Sequence, residues 1–339
     1  MTQVGLVSVI VPVHNAEGYL AHAHAQLAPL SGPSVEFIII DDHSTDGTSA
    51  GISSWAFGDS GVTIASSSQR GVAHTRNEAV ALASGEYLWF ADCDDEWSGD
   101  IVRKLHARAV ADDADIVVCN AQKVLDDGTP LEAIVDAPGD TTITGAESLG
   151  RLLRGEIQGH LWNKLFRRSL FTDAVFPATR AHSDLGGMFS LLTRARRVSL
   201  LNASLYTYKI HAGSILNQRQ YRWEDLEDCL ALAEKSVGST DASLKADLRR
   251  FRYRNVVIPL QNESIRREGW GDAAEIDRVR RRNRRRVSVS DVAQLSTHGE
   301  AAVAARAALI AWAPSVYRLI YRRHRQRRWS GVDAANAST

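Results

Sequence analysis

The sequence has little cysteine, no excess of charge of either sign and no long apolar run. Its three cysteines lie far apart in no metal-ligand spacing, which argues against a disulfide-stapled secreted protein and favours a reducing cytoplasm. Forty basic and forty acidic side chains cancel, so the net charge indicates no partner. No stretch reaches the roughly 18–20 apolar residues that a spanning helix needs, and no secretory signal opens the chain. We therefore expect a cytoplasmic globular protein.

The first 120 residues alternate between strand-like and helix-like segments. Helical patterns separate the strand-like runs, so their connections require right-handed crossovers and a mainly parallel sheet. An α/β fold of this kind binds ligands at the carboxyl ends of its strands. Gly85, just after the helix-like Gly71–Ala83, is expected to form a left-handed helix cap. The five predicted strands are Val7–Val13, Val35–Asp41, Val62–Ala65, Glu86–Ala91 and Asp115–Asn120.

Beyond the α/β part, the sequence becomes helical and rich in arginine. We predict an α/β domain at residues 1–215, a helical C-terminal extension at 216–330 and a disordered tail at 331–339. Arg278–Arg286 holds seven arginines in nine residues, and Arg318–Arg328 holds six arginines and no acid. Because these clusters lie outside the α/β part with few interleaved aromatic residues, no nucleic-acid partner is expected.

The segment after residue 311 combines apolar residues with arginine. Trp312, Val316, Leu319 and Ile320 fall close to one helical face. An apolar stripe with a basic flank favours the interface of an anionic membrane, so peripheral contact with the inner face of the cytoplasmic membrane is expected. The alternative is that the segment packs on the α/β domain or in a homodimer formed through the C-terminal helices.

Carboxylates stand directly after two of the predicted strands. Asp41 and Asp42 end the second strand, and Asp92, Asp94 and Asp95 follow the fourth. Carboxylates confined to a small volume repel one another unless a cation or solvent offsets their charge. Magnesium and manganese are typically held by one or two carboxylates together with phosphate oxygens. The pattern therefore favours a metal-bound nucleoside diphosphate, and the alternative is that these acids cap the next helix and face water.

The run from residue 7 to residue 95 resembles the family 2 glycosyltransferases, a large inverting group with the Rossmann-like GT-A fold. Four blocks match in order and spacing, and weaker similarity to members that build bacterial surface polysaccharides continues to about residue 215. The weaker blocks are the Trp-Asn-Lys segment at 162–164, the segment at 176–186 and Tyr-Thr-Tyr-Lys at 206–209. The four blocks are VSVIVPVHN at 7–15, IIIDDHSTDGT at 38–48, GVAHTRN at 71–77 and SGEYLWFADCDD at 84–95.

The resemblance implies a nucleotide pocket over the ends of the first two strands. Pro12, His14 and Asn15 would line it, and Asp42 would accept a hydrogen bond from a uracil-type imide. His14 stands where the family often has an aromatic residue, so it would stack on the base. Arg70 and Arg76 are candidates for phosphate or base contacts, with surface arginines on a helix as the alternative.

The resemblance also implies the reacting groups. Asp92 would lie near the ribose and the metal, Asp94 would bind Mn²⁺ or Mg²⁺ directly, and Asp95 would cap the next helix or support its neighbours. Asp184 would be the base that takes the acceptor proton. Ser183 stands where a Glu commonly precedes that Asp, so the sequence departs from the family pattern on the substrate side of the base. His182 is a weaker candidate for the base, and a helix cap is the alternative role of Asp184.

The resulting hypothesis is a metal-dependent inverting transfer of sugar from a nucleotide-sugar donor, with UDP the expected nucleotide. The acceptor would be a glycan or a lipid-linked glycan in cell-surface polysaccharide synthesis. A catalytically inactive glycosyltransferase-like scaffold is one alternative. A sugar-nucleotide pyrophosphorylase is another, but it needs a Gly-rich loop after the first strand, and here that loop reads PVHNAE at 12–17.

Overall fold

A computed structural model describes residues 3–179, 182–210, 223–238 and 241–324. The chain divides into two compact units, residues 1–238 and residues 239–339. The domain boundary predicted at residue 215 and the tail predicted at 331–339 both lie outside the described residues, so those limits stay a prediction.

Among the described residues, the first unit is built on one sheet of nine strands. The strands are β1 (Gln3–Val13), β2 (Val35–Asp41), β3 (Gly61–Ser66), β4 (Gly85–Phe90), β5 (Glu96–Trp97), β6 (Ile116–Leu125), β7 (Thr141–Thr144), β8 (Lys164–Arg167) and β9 (Arg197–Ile210). Their order in the sheet is β3-β2-β1-β4-β8-β6-β9-β5, with β7 beside β9. Neighbours β1 and β2, β1 and β4, β2 and β3, and β6 and β9 run in parallel.

Helices flank this sheet, so the predicted α/β architecture is confirmed. All five predicted strands form, with ends that differ by a few residues from the predicted ones. The short strands β5, β7 and β8, which pair antiparallel, were not indicated by the sequence. The helices of the first unit are α1 (Leu20–Leu27), α2 (Thr48–Ile52), α3 (Val72–Leu82), α4 (Ile101–Asp112), α5 (Gly145–Arg154), α6 (Ser183–Arg194) and α7 (Trp223–Val237).

The centre of the sheet is apolar on both faces. Val9, Ile10 and Val11 of β1 are fully buried, as are Leu88 and Trp89 of β4. A β-branched run of this kind packs well between two helical layers. The carboxyl ends of β1, β2 and β4 therefore meet at one rigid edge of the sheet.

Gly85 does not form the left-handed cap predicted for it. It begins β4 and is not among the glycines with a positive φ. A Cβ at this position would lie 2.6 Å from the Ser8 Oγ and 2.8 Å from the Leu6 carbonyl oxygen. The glycine is required by the close approach of β1 and β4, which a reading of local turn chemistry does not detect.

The second unit is helical, as the sequence predicted for the C-terminal extension. Its helices are α8 (Ala242–Phe251), α9 (Ile258–Arg266), α10 (Ala273–Arg285), α11 (Val289–Thr297), α12 (Ala301–Trp312) and a last helical segment at 314–324. A π-helical turn at Arg252–Val257 separates α8 from α9. Val303, Ala304, Ala307 and Ile310 of α12 pack into the core of the unit. Within the described residues, no helix is long and apolar enough to cross a membrane.

Candidate active site

The loops that follow β1, β2 and β4 lie at the same edge of the sheet. Val13 is in register with Asp41, and Ile10 with Phe90. The Ala91 amide donates to the Ile10 carbonyl at 2.9 Å, which carries the pairing to the last residue before the acidic loop. Parallel strands bring the residues that follow them together, so the acids after β2 and β4 share one face.

The loops after β1 and β2 are tied to each other. His14 Nδ1 lies 2.7 Å from the Asp42 carbonyl oxygen, and the Asn15 side chain accepts from the Thr45 amide at 2.8 Å. Asn15 and His43 both have left-handed backbone, with φ of 47° and 55°. Non-glycine residues adopt this conformation when the surroundings fix it, and they cluster at functional sites.

Asp42 joins this pair of loops to the start of α3. Its Oδ1 accepts from the Gly71 amide at 2.8 Å. Arg70, the preceding residue, is exposed, and Pro12 on β1 is half-buried. The structure thus gathers Pro12, His14, Asn15 and Asp42 around one place and puts Arg70 beside it. The carboxyl oxygen of Asp42 is held by backbone, so its orientation is set before any ligand binds.

Asp92, at the start of the acidic loop, has a perturbed carboxyl group. Desolvation by the surrounding protein, together with the charges of Asp94 and Asp184, raises the pKa of its carboxyl to about 6, although the nearby Arg76 guanidinium acts to lower it. An Arg76 Nη lies 3.6 Å from an Asp92 Oδ, and the Arg76 side chain is 11% exposed. Arg76 therefore faces the acidic loop and is not a surface arginine, while its Nε has no hydrogen-bond partner in the described protein.

Asp95 does not cap a helix, which corrects the expectation that favoured a cap. It is buried, and α4 begins only at Ile101, six residues further on, with Asp100 at the N-cap position. Tyr206 Oη donates to the Asp95 carboxylate at 2.9 Å, and the Lys209 amide donates to it at 2.8 Å. Burial, with the charge of Asp92, raises the pKa of Asp95 to about 9. Asp95 thus anchors the acidic loop to β9.

Asp184 lies in the first turn of α6. Its Oδ1 lies 2.8 Å from the amide of its neighbour Leu185, and the helix itself starts after His182, whose backbone is left-handed with φ of 65°. The charge of Asp184 acts on both Asp92 and His160. The structure therefore brings Asp184 into electrostatic reach of the acidic loop, although 92 positions of sequence separate it from Asp92.

A buried polar cluster beside Asp184 was not assigned a role from the sequence. Lys164 is fully buried, and its Nζ donates to the His160 carbonyl at 2.8 Å and to the Asn163 side chain at 2.7 Å. Asp136 lies 3.4 Å from the same Nζ. His160 stacks on Trp162 with ring centres 4.6 Å apart. The Trp-Asn-Lys segment at 162–164 was the signal for this cluster in the sequence, and its lysine is the buried cation that the cluster surrounds.

Known proteins of similar sequence identify the family of this chain. The family model described as "Glycosyl transferase family 2" matches residues 8–172. EpsH of Bacillus subtilis, a protein named as a glycosyltransferase, is 30% identical over 247 residues, which cover 68% of this chain and 68% of EpsH. The chain belongs to glycosyltransferase family 2. This glycosyltransferase is also similar to TuaG of B. subtilis, named for teichuronic acid biosynthesis, at 29% identity over 63% of the chain and 82% of TuaG.

The fold of this glycosyltransferase is also found in a solved structure. TarS residues 1–349 of S. aureus, solved in complex with UDP-GlcNAc, superpose with a TM-score of 0.74 at 19% identity. The match covers 95% of this chain and 92% of that chain. The likeness confirms the predicted GT-A-like sheet with C-terminal helices.

Proposed function

We propose that this glycosyltransferase is a metal-dependent, inverting enzyme that moves a sugar from a nucleoside-diphosphate donor to an acceptor hydroxyl. The observation that carries the proposal is the convergence of Arg76 and Asp184 on the acidic loop Asp92–Asp95. One site then offers groups for a diphosphate, a cation and an acceptor proton. We further propose UDP as the nucleotide, because Asp42 suits a uracil imide N–H and TarS is solved with UDP-GlcNAc.

Asp94 and Asp92 are the residues proposed to hold Mn²⁺ or Mg²⁺. No group of three or more His, Cys, Asp or Glu suited to a metal ion occurs in the described part of the chain. Two carboxylates are nevertheless enough for these ions when phosphate oxygens complete the shell. The raised pKa of Asp92 supports the assignment, because desolvation and the neighbouring acids leave its negative charge poorly compensated. The ion would stabilise the charge that develops on the departing diphosphate.

Asp184 is proposed as the general base. During inverting transfer the acceptor oxygen forms a bond to the anomeric carbon while the bond from that carbon to the diphosphate oxygen breaks. The diphosphate leaves with the electron pair, and the acceptor proton passes to the Asp184 carboxylate. His182 is less suited to this role, because its backbone forms the helix start and Asp184 is the residue whose charge reaches Asp92.

Pro12, His14, Asn15, Asp42 and Arg70 are proposed to bind the nucleoside and Arg76 the diphosphate. The hydrogen bond between His14 and the Asp42 carbonyl fixes the ring of His14 beside the carboxylate that would read the base. Arg76 presents an Nε without a partner in the described protein, as expected for a side chain that would complete its hydrogen bonds with phosphate.

The acceptor proposed is a glycan or a lipid-linked glycan of a cell-surface polysaccharide. The names of relatives such as TuaG support this pathway, since that protein is named for teichuronic acid biosynthesis. The corresponding location is the cytoplasm, at the inner face of the membrane. Residues 1–215 are proposed as the catalytic domain and residues 216–330 as its helical extension.

A donor-hydrolysis screen tests the proposal. Purified protein is incubated with a panel of UDP-, GDP- and dTDP-sugars, with manganese, with magnesium or with excess chelator. We expect release of UDP from one UDP-sugar, dependent on the added cation. Full turnover in chelator would remove the metal assignment, and selective turnover of a GDP- or dTDP-sugar would remove UDP while leaving sugar transfer in place.

A further inference from the structure

The end of α12 and the helical segment that follows it carry an exposed apolar face. We define the apolar face as Trp312, Val316, Leu319 and Ile320, whose exposed fractions are 54%, 48%, 51% and 53%. The neighbouring residue Tyr317 is buried on the opposite side, where its hydroxyl donates to the Asn262 side chain at 2.7 Å. The helix is thus anchored through Tyr317, and its outer side presents large apolar residues to solvent.

The apolar residues between 303 and 320 fall into a buried group and an exposed group. Val303, Ala307 and Ile310 of α12 face the core of the second unit and are buried. Trp312, the last residue of α12, and the apolar residues beyond the break at Ala313 are exposed instead. Soluble proteins seldom expose several large aliphatic and aromatic residues together without a partner. The segment that needs an external partner is therefore 312–324 and not the part of α12 that precedes it.

Arginines border the apolar face. We define the arginine rim as Arg318, Arg322 and Arg323, all exposed. Arg318 and Arg322 reach Glu268, which also binds Arg280 of α10. One carboxylate thus meets three guanidinium groups and leaves an excess of positive charge beside the apolar face. The sequence adds arginines at 325, 327 and 328, which lie outside the described residues.

Glu268 also brings a second basic helix to this side of the unit. Arg280, its partner, belongs to α10, where Arg278, Arg281, Arg284 and Arg285 are exposed. Two arginine-rich helices therefore converge on a single acid. A partner with many negative charges would be attracted to this side from a distance, and the attraction would weaken as salt is added.

We propose that the apolar face and the arginine rim dock the second unit on a membrane surface that contains anionic lipid headgroups. Such a surface offers apolar depth for Trp312, Leu319 and Ile320 and phosphate charges for the rim, which matches both features. A second copy of the chain fits less well, because a symmetric contact would bring each rim against its own copy and like charges would repel. The proposal depends on neither the donor nor the acceptor of the transferase.

Flotation with vesicles tests the docking surface. The full chain is mixed with phosphatidylcholine vesicles with or without phosphatidylglycerol, at low and at high salt. We expect flotation only with the anionic vesicles at low salt. Leu319→Glu combined with Ile320→Glu should lower the partition coefficient about ten-fold or more, because burial of either side chain is lost. Val110→Glu, at a 62% exposed valine of α4 in the first unit, is the matched control and should float like the parent.

Charge is tested by a second pair of variants that keeps the apolar face intact. Arg323→Gln should lower partition into anionic vesicles about five-fold. Arg103→Gln, at a 73% exposed arginine of α4, should leave it unchanged. These variants remain informative if the double glutamate variant melts at a lower temperature than the parent.

Three results would overturn the proposal. The first is a full chain that does not float with anionic vesicles. The second is equal flotation of the parent and the double glutamate variant, with both folded. The third is a parent that is dimeric by light scattering, binds no vesicles and becomes monomeric in the double variant, which would assign the face to a second copy. Turnover of a soluble donor would be unchanged in each case, so a failure here differs from failure of the transferase proposal.

Discussion

The candidate active site and the second unit balance charge in opposite ways. At the site, burial and mutual repulsion raise the pKa of Asp92 to about 6 and that of Asp95 to about 9. In the second unit, burial also acts on Glu268, yet hydrogen bonds from Arg280 and Arg322 hold its pKa below the ordinary value. The surroundings therefore disfavour the charged form of the carboxyl groups in the first region, whereas arginines favour the charged form of Glu268 in the second.

This difference indicates what each region needs from outside. An acidic loop with raised pKa values gains stability from a bound cation, whereas an arginine-rich surface gains stability from bound anions. Asp291 and Glu300 repeat the pattern of Glu268, because each meets two arginines: Arg249 and Arg252 for Asp291, and Arg250 and Arg254 for Glu300. The following predictions test the comparison in order of decreasing effect.

Asp94→Asn should remove the charge that the cation needs. We expect transfer to fall about 10³-fold or more, because a metal ion contributes several kcal/mol to leaving-group stabilisation. The thermal unfolding midpoint should stay within a few degrees of the parent. Manganese titration followed by activity and by binding is the measurement. Asp59→Asn, outside the site, is the control. Wild-type turnover by Asp94→Asn would contradict the proposal that the acidic loop binds a cation through Asp94.

Lys164→Met should show that the stability of the first unit depends on the buried ammonium group of this lysine. Removal of the buried partner leaves Asp136 uncompensated, so the free energy of unfolding should fall by about 3–5 kcal/mol. Urea unfolding measures it. Lys104→Met, whose side chain is 44% exposed beside Asp100, should cost about 0–1 kcal/mol. Equal losses for the two variants would show that burial of Lys164 is not what makes it important.

Asp184→Asn should separate chemistry from binding. Loss of a general base lowers transfer about 10²-fold or more, while UDP affinity measured by calorimetry should stay close to the parent value. His182→Gln should retain most of the transfer rate. If UDP affinity fell together with the rate, Asp184 would belong to the donor pocket or to the fold.

Glu268→Gln tests the arginine-rich second unit, and we expect the smallest effect from this substitution. The substitution removes one negative charge from the meeting point of three arginines, so partition into anionic vesicles should rise about five-fold. Flotation is the measurement, and Glu132→Gln in the first unit is the control. A decrease in vesicle binding would mean that Glu268 positions the arginines of the rim, and that this role outweighs the repulsion between its charge and the anionic lipid.

The sequence predicted the parts of the fold that repeat a local pattern. Val35–Asp41 forms β2 with the predicted limits, because its apolar run is bounded by turn residues on both sides. The acids after β2 and β4 were found for the same reason, since strand ends define where ligands bind in such a sheet. These inferences need only neighbouring residues.

Features that depend on distant contacts were missed. Gly85 is dictated by Ser8 on another strand, and Asp95 by Tyr206 on β9. The burial of Lys164 depends on Asp136 in a loop 28 residues earlier. Each of these side chains looks ordinary within its own segment, so local pattern alone could not assign its role.

The bonds of Asp95 also bear on the order in which the protein assembles. They join positions 111 and 114 residues apart, since the partners are the Tyr206 hydroxyl and the Lys209 amide. Contacts of such long separation carry a larger loop-closure cost than local ones. During synthesis the edge that holds His14 and Asp42 can therefore form while β9 is still being made. The acidic loop gains its final support only when residue 209 has left the ribosome, so a nascent chain would form the proposed nucleotide pocket before the acidic loop is fixed.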